Sequence, residues 1–216
     1  MAGAVVEITE AALEEIHGSC DAHALLDEPE SARAARFRSP EARDRFVAGR
    51  ALLKTVLGAR LGRPPAVVRL RIEPSGRPEL LDPEACLHFS VAHSGVRVVV
   101  ALAEREVGVD IERLRPLPDA LDLARRFFDA SEAAALEAEP AERRSAAFLE
   151  LWTRKEALLK ARGLVLAAGL ATPVGEEAGF TVRPLVVASG YVAAVAARGS
   201  DWSVARPSQA RSRFSA

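Results

Sequence analysis

Val96-Arg97-Val98-Val99-Val100-Ala101-Leu102-Ala103-Glu104-Arg105-Glu106-Val107-Gly108-Val109-Asp110-Ile111-Glu112 is the stretch that decides the fold class. Val96 to Ala103 and Val107 to Ile111 are rich in β-branched residues and of strand length, and Ala103-Glu104-Arg105-Glu106 supplies a tight polar connection between them. Upstream, Leu87 to Val91 is another short apolar run, Val68 to Ile72 alternates, and Ser75-Gly76-Arg77-Pro78 turns the chain. Val5-Val6-Glu7-Ile8 opens as a short strand, and polar, helix-forming residues follow to about Phe37. A longer helix then starts at Ser39, its cap, with Pro40 in the first helical position. It carries Phe46, Leu52, Leu53, Val56 and Leu57 towards Gly62, and Pro64-Pro65 stop it.

Downstream, Arg115-Pro116-Leu117-Pro118 breaks the pattern and reads as a hinge. Helical stretches follow at about 120–128, 131–137 and 142–162, then strand-like segments at 180–187, 190–197 and 202–205. Helices followed by strands, twice over, predict an α+β protein of two halves, 1–112 and 113–206, each with helices on an antiparallel sheet. The polar, basic tail, 207–216, is expected to be disordered.

Composition narrows the functional classes. At 216 residues, with 49% hydrophobic and 27% charged residues, the chain is long enough for one large domain or two small ones sharing an interface. A net charge of −1 argues against a general nucleic-acid binder. Cys20 and Cys86 have no metal-ligand spacing, and no disulfide framework is expected. The first residues carry Glu7, Glu10, Glu14 and Glu15 instead of a basic start and an apolar run, so no signal peptide or membrane span is expected, and the reading is a cytoplasmic protein.

Three segments carry candidate chemistry. In a strand, Asp110 and Glu112 fall on one face and Val109 and Ile111 on the other. Adjacent carboxylates repel unless a cation or a proton separates them, although a lone Asp-Ile-Glu fits a solvated strand end at least as well. In Trp152-Thr153-Arg154-Lys155-Glu156-Ala157-Leu158-Leu159-Lys160, residues Trp152, Glu156 and Lys160 line one helix face. By itself that pattern fits an exposed Glu156–Lys160 pair with Trp152 in the core. Together, Asp110, Glu112 and Glu156 offer the hard oxygen ligands that Mg²⁺ favours beside phosphates, with Lys160 one turn on as a compact positive charge. The third segment, Phe89-Ser90-Val91-Ala92-His93-Ser94-Gly95, places a histidine before a small-residue turn, where it can bind an anion or simply cap the turn.

The order His93-Ser94-Gly95, Gly108-Val109-Asp110-Ile111-Glu112, then Trp152-Thr153-Arg154-Lys155-Glu156-Ala157 with Lys160 resembles the 4′-phosphopantetheinyl transferases of the large single-chain, surfactin-activating (Sfp) type, from about Arg33 to Ala197. The resemblance implies two α+β halves related by pseudo-twofold symmetry, with coenzyme A in the cleft between them, and a monomer. It implies Asp110, Glu112 and Glu156 as Mg²⁺ ligands, Glu156 also as base towards the acceptor serine, and Lys160 on the pyrophosphate. Lys155 matches the lysine of the family's Lys-Glu pair and counts with the coenzyme A-binding residues; Glu132 matches an acidic residue after Arg126-Phe127-Phe128. His93 and Arg45 match residues at the 3′-phosphate of coenzyme A, Arg33 lines the nucleotide pocket, and Gly76-Arg77-Pro78 matches a turn beside the adenine. Ala92 stands where the family commonly has serine, and Glu30 lies near a position that is basic in the type member.

What the resemblance implies for function is transfer of phosphopantetheine from coenzyme A to a serine of an acyl or peptidyl carrier protein, with the longer chain leaning towards secondary metabolite biosynthesis. The carrier would be an acidic helical domain, for which Arg125, Arg126, Arg143 and Arg144 are candidate docking residues beside their reading as a solvated helix face. Two other readings stand alongside: a Mg²⁺-dependent hydrolase of coenzyme A or a similar nucleotide, and a non-catalytic coenzyme A or carrier-protein binding module.

Overall fold

A computed structural model describes residues 4–73, 77–82, 86–164, 169–174 and 179–207. In chain order its elements are β1 (Ala4–Ala12), α1 (Leu13–Ser19), α2 (Glu28–Ala34), α3 (Pro40–Leu61), β2 (Leu70–Ile72), β3 (Pro78–Leu80), β4 (His88–Ser94), β5 (Arg97–Ala103) and β6 (Val107–Arg113). They continue as α4 (Ala120–Phe127), α5 (Ala130–Ala138), α6 (Arg144–Ala161), β7 (Phe180–Leu185), β8 (Tyr191–Arg198) and β9 (Trp202–Ala205). The architecture is α+β, as the alternation of periods predicts.

α3 forms where its sequence signals place it. Ser39 accepts a hydrogen bond from the Ala42 N–H, Pro40 opens the helix, and Gly62 ends it with a left-handed backbone at φ 65°. Its apolar face, with Val47, Leu52, Leu53 and Leu57 fully buried, packs on Phe89, Val98, Val100 and Leu102. Each such aliphatic side chain contributes about 1.5–3 kcal/mol through burial. α6 does the same for the second half, setting Ala157, Leu158 and Ala161 against Phe180, Ala194 and Ala196.

Two three-stranded antiparallel ladders, β4-β5-β1 and β7-β8-β6, repeat one order. The first sheet runs β4-β5-β1-β9 and the second β7-β8-β6, so in each the hairpin partner of an edge strand lies next to the first strand of its half. The opposite faces of the sheets meet in a shared apolar layer, where Val6, Ile8, Val99 and Ala101 pack with Val107, Val109, Ile111 and Val195. The layers are therefore helix, sheet, sheet, helix.

The strands do not divide at residue 112. β6 follows β5 in sequence but pairs with β8, from Val107 opposite Ala197 to Arg113 opposite Tyr191. β9, the last described strand, returns to the first sheet and runs parallel to β1, Ala4 opposite Trp202. By sheet membership the first half ends before β6 and borrows β9. The tail from 208 onward and Gly76 lie outside the described residues. Among the described residues no helix is long and apolar enough to cross a membrane.

Candidate active site

A cavity of about 500 Å³ opens beside α3 and β4 and reaches the C-terminal end of α6. Phe46, Phe89 and Val91 give it apolar walls, and Arg33, Arg50, Arg77, His93 and Lys160 give it positive charge or the capacity for it. No carboxylate is among its described lining residues, so its chemistry suits a ligand with a flat apolar part and several negative charges. Arg33, Arg77, Pro78 and His93, all expected at the nucleotide, line it together. Arg33 lies 5.4 Å over the Phe46 ring, as does Arg50 at 5.3 Å. Arg45 sits one turn before Gly49 on α3, and Gly49 packs near the His93 ring. Partial burial, with the charges of Arg45 and Lys160, lowers the His93 pKa from 6.5, against the pull of Glu112. A phosphate beside it would reverse that balance.

Lys160 joins this cavity to an acidic cluster. Its Nζ donates to Asp110 Oδ1 at 2.7 Å and to the Val109 carbonyl at 3.2 Å, and it lies 3.4 Å from Glu156 Oε2. The contact exists because α6 crosses β6 at Gly108. A Cβ there would stand 2.0 Å from the Ala157 carbonyl oxygen and 2.4 Å from the Ala161 nitrogen. Only glycine permits that approach. Asp110 is 5% exposed, so the reading of a solvated strand end does not hold for it. Burial, reinforced by Glu156 and Glu112 and opposed by Lys160, raises its pKa from 3.8 to about 7. Burial disfavours the Lys160 ammonium too, but Asp110 and Glu156 outweigh it and raise its pKa.

Glu112, two residues on, accepts a hydrogen bond from Ser94 Oγ at 2.8 Å and pairs with Arg115 at 3.3 Å. Among the described residues no group of three or more His, Cys, Asp or Glu side chains stands ready-made around a metal ion. The donor chemistry nevertheless fits one. Asp110 Oδ2 is buried without a hydrogen-bond partner, and the charges of Glu156 and Glu112 both bear on Asp110, with Lys160 as its compensating charge.

Other expected residues take different places. Lys155, expected to bind coenzyme A, is 1% exposed and does not line the cavity. Its Nζ reaches Glu132 at 2.5 Å and the carbonyls of Leu170 and Thr172 at 2.8 Å each. One residue of helix turns a side chain by about 100°, so Lys155 must point away from the face that carries Glu156. Glu132 also accepts from the Val174 N–H at 2.9 Å, so the pair ties down the segment after α6. Ala92 faces the apolar layer between the sheets and does not line the cavity. Glu30 is buried and holds Lys54 at 2.6 Å, with Arg50 at 3.6 Å. A lysine among Leu52, Leu53, Val56 and Leu57 was the signal for this buried network. Of the candidate docking arginines, Arg125 pairs with Glu137, Arg143 with Glu139 and Glu150, Arg144 donates to the carbonyls of Glu137 and Glu139, and Arg126 lies over Phe127.

Residues 106–196 match the family pattern of the 4′-phosphopantetheinyl transferase superfamily. The 4′-phosphopantetheinyl transferase HetI of Nostoc sp. is 39% identical over 195 residues, 84% of this chain and 82% of the relative. The 4′-phosphopantetheinyl transferase Sfp of Bacillus subtilis is 30% identical over 171 residues, 73% of this chain and 71% of the relative. The Synechocystis sp. relative slr0495 is 39% identical over 156 residues, and the match spans slightly under two thirds of it, 63% of its length. The matched residues 106–196 take in the acidic strand β6 and α6, with Lys160, Gly163 and Leu164 of the cavity wall. On that basis the chain belongs to the 4′-phosphopantetheinyl transferase superfamily.

Proposed function

We propose that this chain moves the phosphopantetheine arm of coenzyme A onto a serine of a carrier protein and releases adenosine 3′,5′-bisphosphate. The observation that carries the proposal is the meeting, at Lys160, of a cation-lined cavity and the carboxylates of buried Asp110 and half-buried Glu156. The names of the relatives favour transfer over hydrolysis or passive binding.

In the reaction the acceptor oxygen forms a bond to the β-phosphorus as the bridging P–O bond breaks, and the bisphosphate departs with the bridging oxygen. Such a transfer depends on positioning and on charge neutralisation more than on covalent help. His93, Arg45, Arg33 and Arg77 hold the nucleotide end against the walls of Phe46 and Phe89. Lys160, able to leave Asp110 for a phosphate oxygen, offsets charge on the leaving group. Glu156, which faces the same space, accepts the serine proton directly or through water. Asp110, Glu112 and Glu156 would hold Mg²⁺, which supplies Lewis-acid neutralisation of the pyrophosphate when bound. The shared strand order of the two sheets supports a pseudo-twofold relation between the halves. By resemblance we read a cytoplasmic monomer that serves acyl or peptidyl carriers of secondary metabolism.

The test is intact-mass spectrometry of apo carrier proteins incubated with this protein, coenzyme A and Mg²⁺, with EDTA as the control. The expected result is a gain of one phosphopantetheine, abolished by EDTA. No gain on peptidyl, polyketide and fatty-acid carriers overturns the proposal.

A further inference from the structure

β4 and β6 lie side by side where the two sheets meet, yet no backbone ladder joins them among the described residues. Serine side chains take its place. The Val109 N–H donates to Ser90 Oγ at 3.1 Å, and the Arg113 N–H donates to Ser94 Oγ at 3.0 Å. A backbone N–H is a donor only, so it fills an acceptor site of the Ser94 hydroxyl and leaves the hydroxyl proton to point elsewhere. It points to Glu112 Oε2, 2.8 Å away. The turn beyond Ser94 is fixed from the other side: the Val96 N–H donates to Tyr191 Oη at 3.2 Å. A Cβ on Gly95 would come within 2.6 Å of that oxygen, and the residue has φ 55°. The strand that presents His93 to the cavity thus presents, on its opposite face, a fixed hydroxyl to a carboxylate of the acidic cluster.

We infer that Ser94 is a positioning residue that holds Glu112 in the orientation needed for the divalent cation. This rests on the transferase reading and on Glu112 as a ligand. Arg115 shares the same Oε2 of Glu112, but its side chain is 51% exposed and its contact is longer, 3.3 Å. Without the hydroxyl, Glu112 Oε2 is left with the longer Arg115 contact and water. Partners of this kind around a metal ligand typically change cation affinity by about 10–100-fold when removed.

The experiment is Mn²⁺ binding followed by electron paramagnetic resonance on the full chain, for wild type, Ser94→Ala, Ser94→Thr, Glu112→Ala and the double variant. Coenzyme A affinity in EDTA and thermal melting serve as controls for the fold. The expected result is Mn²⁺ affinity about tenfold or more weaker in Ser94→Ala and restored in Ser94→Thr, with the metal-free coenzyme A affinity unchanged. In the Glu112→Ala background the loss of Ser94 should add nothing. Equal affinity in Ser94→Ala and wild type overturns the inference. So does a Ser94→Thr as weak as Ser94→Ala, or an additive loss in the double variant. A wild type that binds no Mn²⁺ overturns the metal assignment and this inference together, and is distinguished by appearing before any substitution is made. Carrier modification by that wild type would show that the transfer reading outlives both.

Discussion

Lys155 and Lys160 leave the same helix five residues apart, and each meets a carboxylate from another element, yet the two pairs are built on opposite plans. Lys155 is 1% exposed and its ammonium has three acceptors: Glu132 and two carbonyls of the segment after α6. Every donor and acceptor there has a use within the fold. Lys160 is 31% exposed and opens on the cavity, while Asp110 keeps one buried oxygen unpartnered and an abnormal affinity for protons. A saturated buried ion pair holds a chain in place, whereas an unsaturated one keeps capacity for something that arrives later. The difference separates a lysine saturated by the fold from one left open to the cavity inside a single motif.

The contrast can be broken first at its structural end. Lys155→Ala strands Glu132 and two carbonyls, and should lower the unfolding free energy by about 3–5 kcal/mol in chemical denaturation, with transfer by the folded fraction nearly unchanged. A normal midpoint would show that the pair is not the anchor described. At the chemical end, Glu156→Gln should reduce transfer by about 10²-fold or more while the unfolding midpoint moves little. Wild-type turnover at saturating Mg²⁺ would remove Glu156 from the machinery.

Acidity sharpens the comparison further. Without metal, the folded chain keeps a proton on Asp110 up to about pH 7, where the unfolded chain has lost it above 3.8. This group therefore favours the fold at low pH, and its contribution disappears as pH rises through about 7. Cation binding needs the ionised carboxylate and should move the opposite way, with Mn²⁺ affinity climbing to about pH 7 and then levelling. Melting curves of wild type and Asp110→Asn across that range, with and without Mn²⁺, check both signs. The smallest effect is expected at a third kind of pair. Arg125 and Glu137, each more than half exposed, should tolerate Arg125→Ala with a loss below about 1 kcal/mol in a thermal melt. A raised KM for the carrier in that variant would return Arg125 to the docking surface.

Much of this was legible in the sequence because it is local. Ser39, Pro40 and Gly62 mark the ends of α3 to the residue, and the four-residue spacing of Glu156 and Lys160 gives the ion pair found in α6. Asp110 and Glu112 fall on one strand face as the period of two requires. Long-range placement was not legible. Nothing in Val107–Glu112 says that β6 turns from β5 to β8, because the choice of strand partner depends on a hairpin more than seventy residues away. Lys155 looked like part of the site because it adjoins Glu156 in the motif, and only its burial against Glu132 reveals its role. Ser94 looked like turn punctuation, since its partners, Arg113 and Glu112, lie beyond an intervening strand.

The parallel pairing of β9 with β1 has a consequence for the order of assembly. During synthesis the first sheet emerges with one edge of β1 bare, and the strand that covers it, Trp202–Ala205, follows only after β6, β7 and β8. Neither half is then a module that can mature alone: a fragment ending at residue 112 would keep β6 without β8 and expose β1 to any other chain offering a strand. The pairing closes the first sheet like a belt, a late strand buckled over an early one, and ties completion of the sheet that carries β4 of the cavity wall to the arrival of β9.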